Sequence, residues 1–295
     1  MLTNHYTARS FGGLLLFFAV VLANIPILGQ EILGVSHYTT ACTTAQSKRE
    51  ILQKIQAPYA ELSQEDKERV SRVLKDVSIY RRLPLQIVSC DEELYHFASR
   101  HPDVIVNIWE LMKVSKMTLR EVSEGRFYME DQAGTRGLIQ CIYRSERLML
   151  LYATGIYEGP PFPRKVKGRG LVVLQNLPVV NEQGERFLAI RLDAFMQIEN
   201  NGVDALAKTF QPVVGRVADH NFAQVAGFLG QLSKTSAENG FGVAAMSERL
   251  TRVPVEVQQE FAKVAISVME RADAEALQPL PVPVASTSEH GEHWE

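Results

Sequence analysis

The sequence has little cysteine, and it lacks the short motifs that mark the common enzyme classes. Its three cysteines, Cys42, Cys90 and Cys141, allow one disulfide at most, which excludes a small cysteine-stapled scaffold. G-x-S-x-G, H-E-x-x-H, C-x-x-C and phosphate-binding glycine motifs are all absent. These absences argue against the common hydrolases, zinc proteases, redox proteins and nucleotide enzymes. The sequence identifies no catalytic residue, and we predict neither a cofactor nor a bound metal.

An excess of charge of either sign is also missing. The 31 basic and 34 acidic residues leave a net charge of −3 at pH 7. No strong field therefore attracts this chain to nucleic acid, and we expect no nucleic-acid partner. The 46% hydrophobic content is ordinary for a globular protein.

An uncharged stretch stands at the N-terminus. Residues 10–30 carry no charge, and their apolar core runs from Phe11 to Ala23. The core ends in V-L-A, which resembles a signal-peptide cleavage pattern, but the uncharged stretch is also just long enough to span a bilayer. We predict that residues 1–30 are a signal peptide removed after Ala23, or else an uncleaved membrane anchor. In either case the protein is expected to be exported, to the periplasm or the extracellular space.

Periodicity predicts helices and strands over most of the remaining chain. Residues 31–62 are weakly patterned, and we predict a linker there. A helix is predicted over 64–82 with Ser63 as its cap, followed by a strand at 85–90 and short helices at 91–100 and 101–113. Alternating apolar residues then predict six strands, at 116–122, 125–131, 136–144, 147–159, 170–180 and 186–198.

The period changes at the joint R-L-D-A-F-M-Q-I-E-N-N-G-V-D-A-L-A-K-T-F, residues 191–210. A strand ends here, and helical spacing begins at Val203 and continues to about residue 235. Pro212 predicts a kink or a restart within this long helix. Two further helices are predicted, at 242–250 and from near Pro254, and residues 278–295 are predicted to be a disordered tail.

This order of elements resembles the helix-grip fold of the START-like lipid-transfer and polyketide-cyclase superfamily. The resemblance covers roughly residues 84–236, and it rests on the two short helices after the first strand and on the joint at 191–210. It implies an α+β fold in which a curved antiparallel sheet of about six to seven strands grips a long C-terminal helix. It also implies a cavity for an apolar small molecule or lipid between sheet and helix. We place this START-like domain at 63–236, with extra helices on its N-terminal side and accessory C-terminal helices at 237–277.

Aromatic and polar residues on the predicted strands and long helix are candidates to line such a cavity. The aromatic rings could equally be packed core. Arg191 and Asp193 share one face of the last strand, where they would be either a solvated pair or buried groups that need partners. The candidate ligand-binding residues are Tyr128, Tyr143, Tyr152, Arg191, Asp193, Phe195, Phe210, Val214 and Phe222.

Other clusters of chemically capable residues have simpler explanations. Asp219 and His220 are adjacent on a helix and point in different directions, which favours a solvated helix face. His101 and Asp103 flank a helix start, where capping explains both. His290 and His293 lie in the polar tail. The basic run R-K-V-K-G-R at 164–169 could contact a membrane surface, although a solvated loop explains it better.

The sequence therefore leaves three functions open. The first is a non-catalytic carrier or sensor of an apolar small molecule or lipid. The second is a cyclase- or hydrolase-like enzyme on the same fold, using Arg191, Asp193 or His220. The third is a structural envelope protein with a filled core and no ligand.

Overall fold

The architecture is three layers deep, with helices on both faces of one sheet. The computed structural model describes residues 36–37, 44–159, 165–199 and 201–277, and it gives the backbone alone for 36–37 and 201–214. The predicted signal or anchor segment and the tail at 278–295 lie outside the described residues. Within the described ranges, no helix combines the length and the apolar character needed to cross a bilayer.

In the part of the chain that the structure describes, nine antiparallel strands form the middle layer. They are β1 (Ser36–His37), β2 (Ile79–Arg82), β3 (Gln86–Val88), β4 (Thr118–Ser123), β5 (Arg126–Glu130), β6 (Thr135–Arg144), β7 (Leu148–Tyr157), β8 (Val166–Val180) and β9 (Arg186–Ile198). Their order across the sheet is β1-β3-β9-β8-β7-β6-β5-β4, and β2 also pairs with β9. All six strands predicted between residues 116 and 198 are present, which follows from their regular alternation.

Among the described residues, seven helices lie on the two faces of the sheet. They are α1 (Ala45–Lys54), α2 (Gln56–Glu61), α3 (Gln64–Lys75), α4 (Glu92–Arg100), α5 (Pro102–Leu111), α6 (Asn201–Ser247) and α7 (Val255–Ala276). The predicted cap of α3 is present, because the Ser63 side chain accepts a hydrogen bond from the Asp66 amide. The predicted class, an α+β fold with an antiparallel sheet, a long C-terminal helix and extra helices at both ends, is confirmed.

The long helix continues past Pro212, and its interruption lies between the helix predicted to end near residue 235 and the helix predicted to start at 242. The backbone is helical through Pro212, so the chain does not restart there, and the break in α6 falls at Asn239, where φ is −154° and ψ is 64°. Gly240 follows the break and presses against α7. A Cβ atom at position 240 would lie 2.7 Å from the carbonyl oxygen of Ala265. Glycine therefore lets the two helices approach closely.

Two expectations near the N-terminus need correction. The linker predicted over 31–62 does not extend past residue 43, because α1 and α2 fold and bury Ile51 and Ile55 against the sheet. The helix predicted over 64–82 ends at Lys75, and the chain from Ile79 pairs with β9 as β2. Pairing with a strand more than 100 residues away replaces the helical continuation that the local pattern favoured.

Both faces of the sheet are buried, each in its own core. The core beneath α1, α2 and α3 contains Tyr152, Leu171 and Phe195. The core on the opposite face contains Phe127, Ile190 and helices α4 to α7. Because successive side chains of a strand point to opposite faces, the central strands β7, β8 and β9 supply both cores.

Candidate functional site

A cavity of about 210 Å³ lies between the sheet and α6. The sheet forms its floor through the inward-facing residues of six strands. Register places the floor residues beside one another, since Leu174 of β8 is paired with Leu192 of β9, and Phe127 of β5 with Ile139 of β6. The apolar floor is formed by Leu119, Phe127, Ile139, Met149, Leu151, Leu174, Ile190 and Leu192.

Helices close the cavity from the other side. Phe222, Val225, Ala226 and Leu229 of α6 lie three or four residues apart, so they share one stripe of the helix. The edge of the Trp109 ring of α5 meets the Phe228 ring of α6, with centroids 5.6 Å apart. Tyr95, Ala98, Ile105, Val106 and Trp109 complete the wall from α4 and α5.

Few polar side chains reach the cavity wall. They are Tyr95, Ser99, Cys141 and Arg144. Burial raises the pKa of the Tyr95 hydroxyl and of the Cys141 thiol, so both groups are uncharged at neutral pH. The Ser99 hydroxyl donates to the carbonyl oxygen of Tyr95 at 2.8 Å. Among the described residues that line the cavity, Arg144 is the one that carries a charge.

A smaller pocket of about 40 Å³ adjoins the cavity at Arg144. We name it the vestibule. It shares Tyr95, Ser99, Arg144, Met149 and Leu174 with the cavity wall. Its remaining residues are His96, Arg100, Ser145, Leu148 and Asn176. The apolar cavity thus adjoins a more polar compartment across these shared residues.

Most of the predicted ligand-binding residues lie away from this cavity. Phe222 is in its wall, and the side chains of Phe210 and Val214 lie outside the described residues. Tyr143, Tyr152 and Phe195 pack in the core beneath α1 to α3. Strand alternation puts Arg191 and Asp193 on that same face, and Tyr128 on the face opposite Phe127. The guanidinium of Arg120 lies 5.2 Å from the centroid of the Tyr128 ring.

Asp193 is fully buried and belongs to a polar network beneath α1. Its Oδ1 atom accepts hydrogen bonds from the Tyr80 hydroxyl at 2.7 Å and from Nε of Arg82 at 2.8 Å. Arg82 also donates to Glu50 at 3.0 Å and to the carbonyl oxygen of Ser47 at 3.3 Å. The network therefore connects α1 and β2 to β9, and it contributes nothing to the cavity wall.

The other groups of polar and titratable residues noted in the sequence also lie away from the cavity. Nε of Arg81 donates to Asp219 at 2.9 Å, and the side chain of His220 is exposed. Nε2 of His101 lies 3.6 Å from Glu260, and Asp103 is buried. In the described part of the chain, no group of three or more histidine, cysteine or acidic side chains could hold a metal ion. His290 and His293 lie outside that part.

Sequence reasoning missed the residues of α4 and α5 and also Arg144. The apolar stripe that includes Ile105 was visible at helical spacing. Nothing in it distinguished a cavity wall from a packed core, because both require the same apolar residues. Arg144 stood at the end of a predicted strand, and only the fold places it beside Ser99 of α4.

Comparisons with known proteins leave the family open. No family model matches the chain, and no curated protein matches it. A conserved protein from Geobacillus kaustophilus is similar at 14% identity over 53% of this chain and 93% of its own, with a TM-score of 0.35. CalU16 from Micromonospora echinospora is similar at 13% identity over 52% of this chain and 90% of its own, with a TM-score of 0.24. Dicamba monooxygenase bound to dicamba is similar at 13% identity over 70% of this chain and 62% of its own, with a TM-score of 0.29. At these TM-scores the similarity assigns neither a family nor a function.

Proposed function

We propose that this protein binds an apolar small molecule, or the apolar part of a lipid, in the cavity between the sheet and α6. One observation carries the proposal, namely about 210 Å³ of space with an almost entirely apolar wall. Protein interiors are close-packed, and voids much larger than a water molecule are few. An engineered apolar cavity of about 150 Å³ binds benzene. The space here is therefore sufficient for a substituted ring or a short alkyl chain.

The chemistry of the wall supports binding rather than catalysis. Covalent catalysis needs a nucleophile that a neighbouring base or a lowered pKa activates. In this cavity burial raises the pKa of Cys141, and the Ser99 hydroxyl is engaged by the carbonyl oxygen of its own helix. Among the described residues of the wall there is no histidine or carboxylate to serve as a base. We therefore propose a carrier or sensor.

We further propose that the protein acts outside the cytoplasm, exported or held at a membrane by residues 1–30. The support is the uncharged stretch and the V-L-A pattern at its end. The basic run at 164–169 gives weaker support for a contact with the membrane surface. Lys165 is paired with Glu158 at 2.6 Å, and Arg169 is paired with Glu199, so neighbouring acids offset these charges.

Filling the cavity tests the proposal. Ala226 lies in the wall, and Ala226→Leu would place additional methyl groups in the open space. Ala245→Leu is the matched control, because Ala245 is exposed on the same helix. In a fluorescence titration of the full chain with naphthalene, we expect saturable binding by the wild type and the control, and loss of binding by Ala226→Leu. Absence of saturable binding to wild type, for naphthalene and also for 1-octanol, would reject a ligand and favour the structural function.

A further inference from the structure

We infer that the ligand is an amphipathic anion, with its apolar body in the cavity and a carboxylate at Arg144 in the vestibule. This inference rests on the proposed function and names the ligand class for the same site. It follows from three features: the position of Arg144, the charges around the vestibule and the size of the two compartments.

Arg144 stands where the apolar cavity meets the vestibule, and it lines both. Its Nη2 atom donates to the carbonyl oxygen of Ser99 at 3.4 Å and lies 3.7 Å from Sδ of Met149. No carboxylate of the described residues forms an ion pair with it. By contrast, the neighbouring Arg100 is paired with Glu260 at 2.8 Å. Arginine binds carboxylates through two parallel hydrogen bonds, and Arg144 retains donors for such a contact.

Three basic side chains, those of His96, Arg100 and Arg144, line the vestibule, and its described lining contains no aspartate or glutamate. Burial lowers the pKa of His101, an effect that Glu260 and Glu121 oppose and that Arg100 and Arg144 reinforce. Within the cavity wall, Arg144 opposes the effect of burial on the Cys141 thiol. An anion is therefore favoured at this end of the cavity.

The volumes restrict the size of the ligand. The vestibule has about 40 Å³, whereas one water molecule needs about 10–15 Å³, so the vestibule suits a small head group. The cavity of about 210 Å³ is small for a ligand pocket, since these usually measure about 300–1,000 Å³. A phospholipid with two long chains exceeds this space. The two compartments together fit a monocarboxylate with a short alkyl chain or a single ring.

Isothermal titration of the full chain with matched ligands tests the inference. Octanoate, 1-octanol and octylamine share one alkyl chain and differ in the charge of the head group. We expect octanoate to bind about tenfold more tightly than 1-octanol, because hydrogen bonds to charged groups are the stronger ones, and octylamine to bind most weakly. A parallel titration with 3-phenylpropanoate compares a ring with a chain as the apolar body. Binding of either acid about tenfold tighter than that of 1-octanol supports the inference.

Two substitutions of Arg144 test whether this residue causes the preference for octanoate over 1-octanol. In Arg144→Gln we expect octanoate to lose its advantage while 1-octanol binds as before, and in Arg144→Lys we expect part of the advantage to remain. Arg147→Gln is the control, because Arg147 is an exposed arginine of the same turn that lines neither compartment. A preference for octanoate that survives in Arg144→Gln would overturn the inference. Equal binding of octanoate and 1-octanol would overturn it and leave the proposed function intact. Failure of every ligand to bind would reject both.

Discussion

The hydroxyl of Tyr80 donates a hydrogen bond of 2.7 Å to Oδ1 of Asp193, a carboxylate with no exposed surface. The two residues are 113 positions apart in the chain and lie on the neighbouring strands β2 and β9. Burial, to which Asp193 adds, raises the pKa of the Tyr80 hydroxyl, so Tyr80 remains a donor at neutral pH. With Arg82 as the second donor to the same oxygen, the buried charge is neutralised at the point where α1 meets the sheet.

Removing this carboxylate should destabilise the fold strongly. In Asp193→Ala the guanidinium of Arg82, which is 13% exposed, would lose its buried partner. Breaking a buried pair from one side costs about 3–5 kcal/mol. We expect urea unfolding to show a loss in this range for Asp193→Ala. Arg191→Ala is the control on the same face of β9, and we expect it to cost less than about 1 kcal/mol. A small loss for Asp193→Ala would show that the network does not hold α1 to the sheet.

Asp103 should make the protein less stable as the pH rises. Burial raises the pKa of this carboxyl from its ordinary 3.8 to about 6. The folded state therefore favours the protonated acid. Its contribution to stability is complete below pH 3.8 and is lost as the pH rises through 6, which costs on the order of 3 kcal/mol.

The difference between wild type and Asp103→Asn isolates this effect from the other carboxylates. We expect the variant to match the wild type near pH 4 and to be about 2–3 kcal/mol more stable near pH 7, because it carries no charge to bury. Urea unfolding at several pH values measures the difference. A gap between the two proteins that stays constant with pH would contradict the raised pKa.

Two phenylalanines on neighbouring helices should respond differently to truncation. Phe261 of α7 is completely buried and stacks on Phe97 with centroids 5.4 Å apart, whereas Phe222 of α6 borders the cavity. We expect Phe261→Ala to cost about 3–5 kcal/mol and Phe222→Ala roughly 2 kcal/mol, since the ring of Phe222 has fewer neighbours to lose. Chemical denaturation of both variants measures these two losses in the free energy of unfolding. Equal losses would indicate a filled core around Phe222.

Processing at the N-terminus is expected to produce a shorter mature chain. The apolar run from Phe11 to Ala23 ends in a cleavage pattern, and export would remove it. Mass spectrometry of the protein purified from its native host should then find a new N-terminus near Asn24. Recovery of an intact Met1 on membrane-bound protein would identify an anchor instead.

The strands were predictable because alternation is a local signal. Along β9 the apolar residues at even positions form one face and Arg191, Asp193 and Phe195 form the other. This pattern fixes which residues share a face. It does not fix which face meets which layer when both faces are buried. The candidate ligand-binding residues Arg191, Asp193 and Phe195 share the mixed face, whereas the cavity lies on the more apolar face with Ile190 and Leu192.

The partners of the buried charges were not predictable, because they come from distant parts of the chain. Arg81 and Arg82 fit the last turn of a helix in the local sequence. In the fold they bind Asp219 and Asp193, which are 138 and 111 positions away. The layer of α1 and α2 was missed for a related reason. Its few apolar residues, such as Ile51, form only a weak pattern in the sequence. They are recognised as core residues only once the sheet is seen to pack against them.

Helices cover both faces of the sheet, and this arrangement affects how the protein can accept substitutions. The network around Asp193 lies beneath α1 to α3, and the residues that would select a ligand lie beneath α4 to α6. Substitutions at separate, non-contacting sites usually have additive effects. A lineage or an engineer could therefore reshape the cavity at Ala226 or Leu174 while strengthening the opposite face independently. In this molecule, ligand selectivity and part of the stability of the fold depend on opposite faces of the same strands.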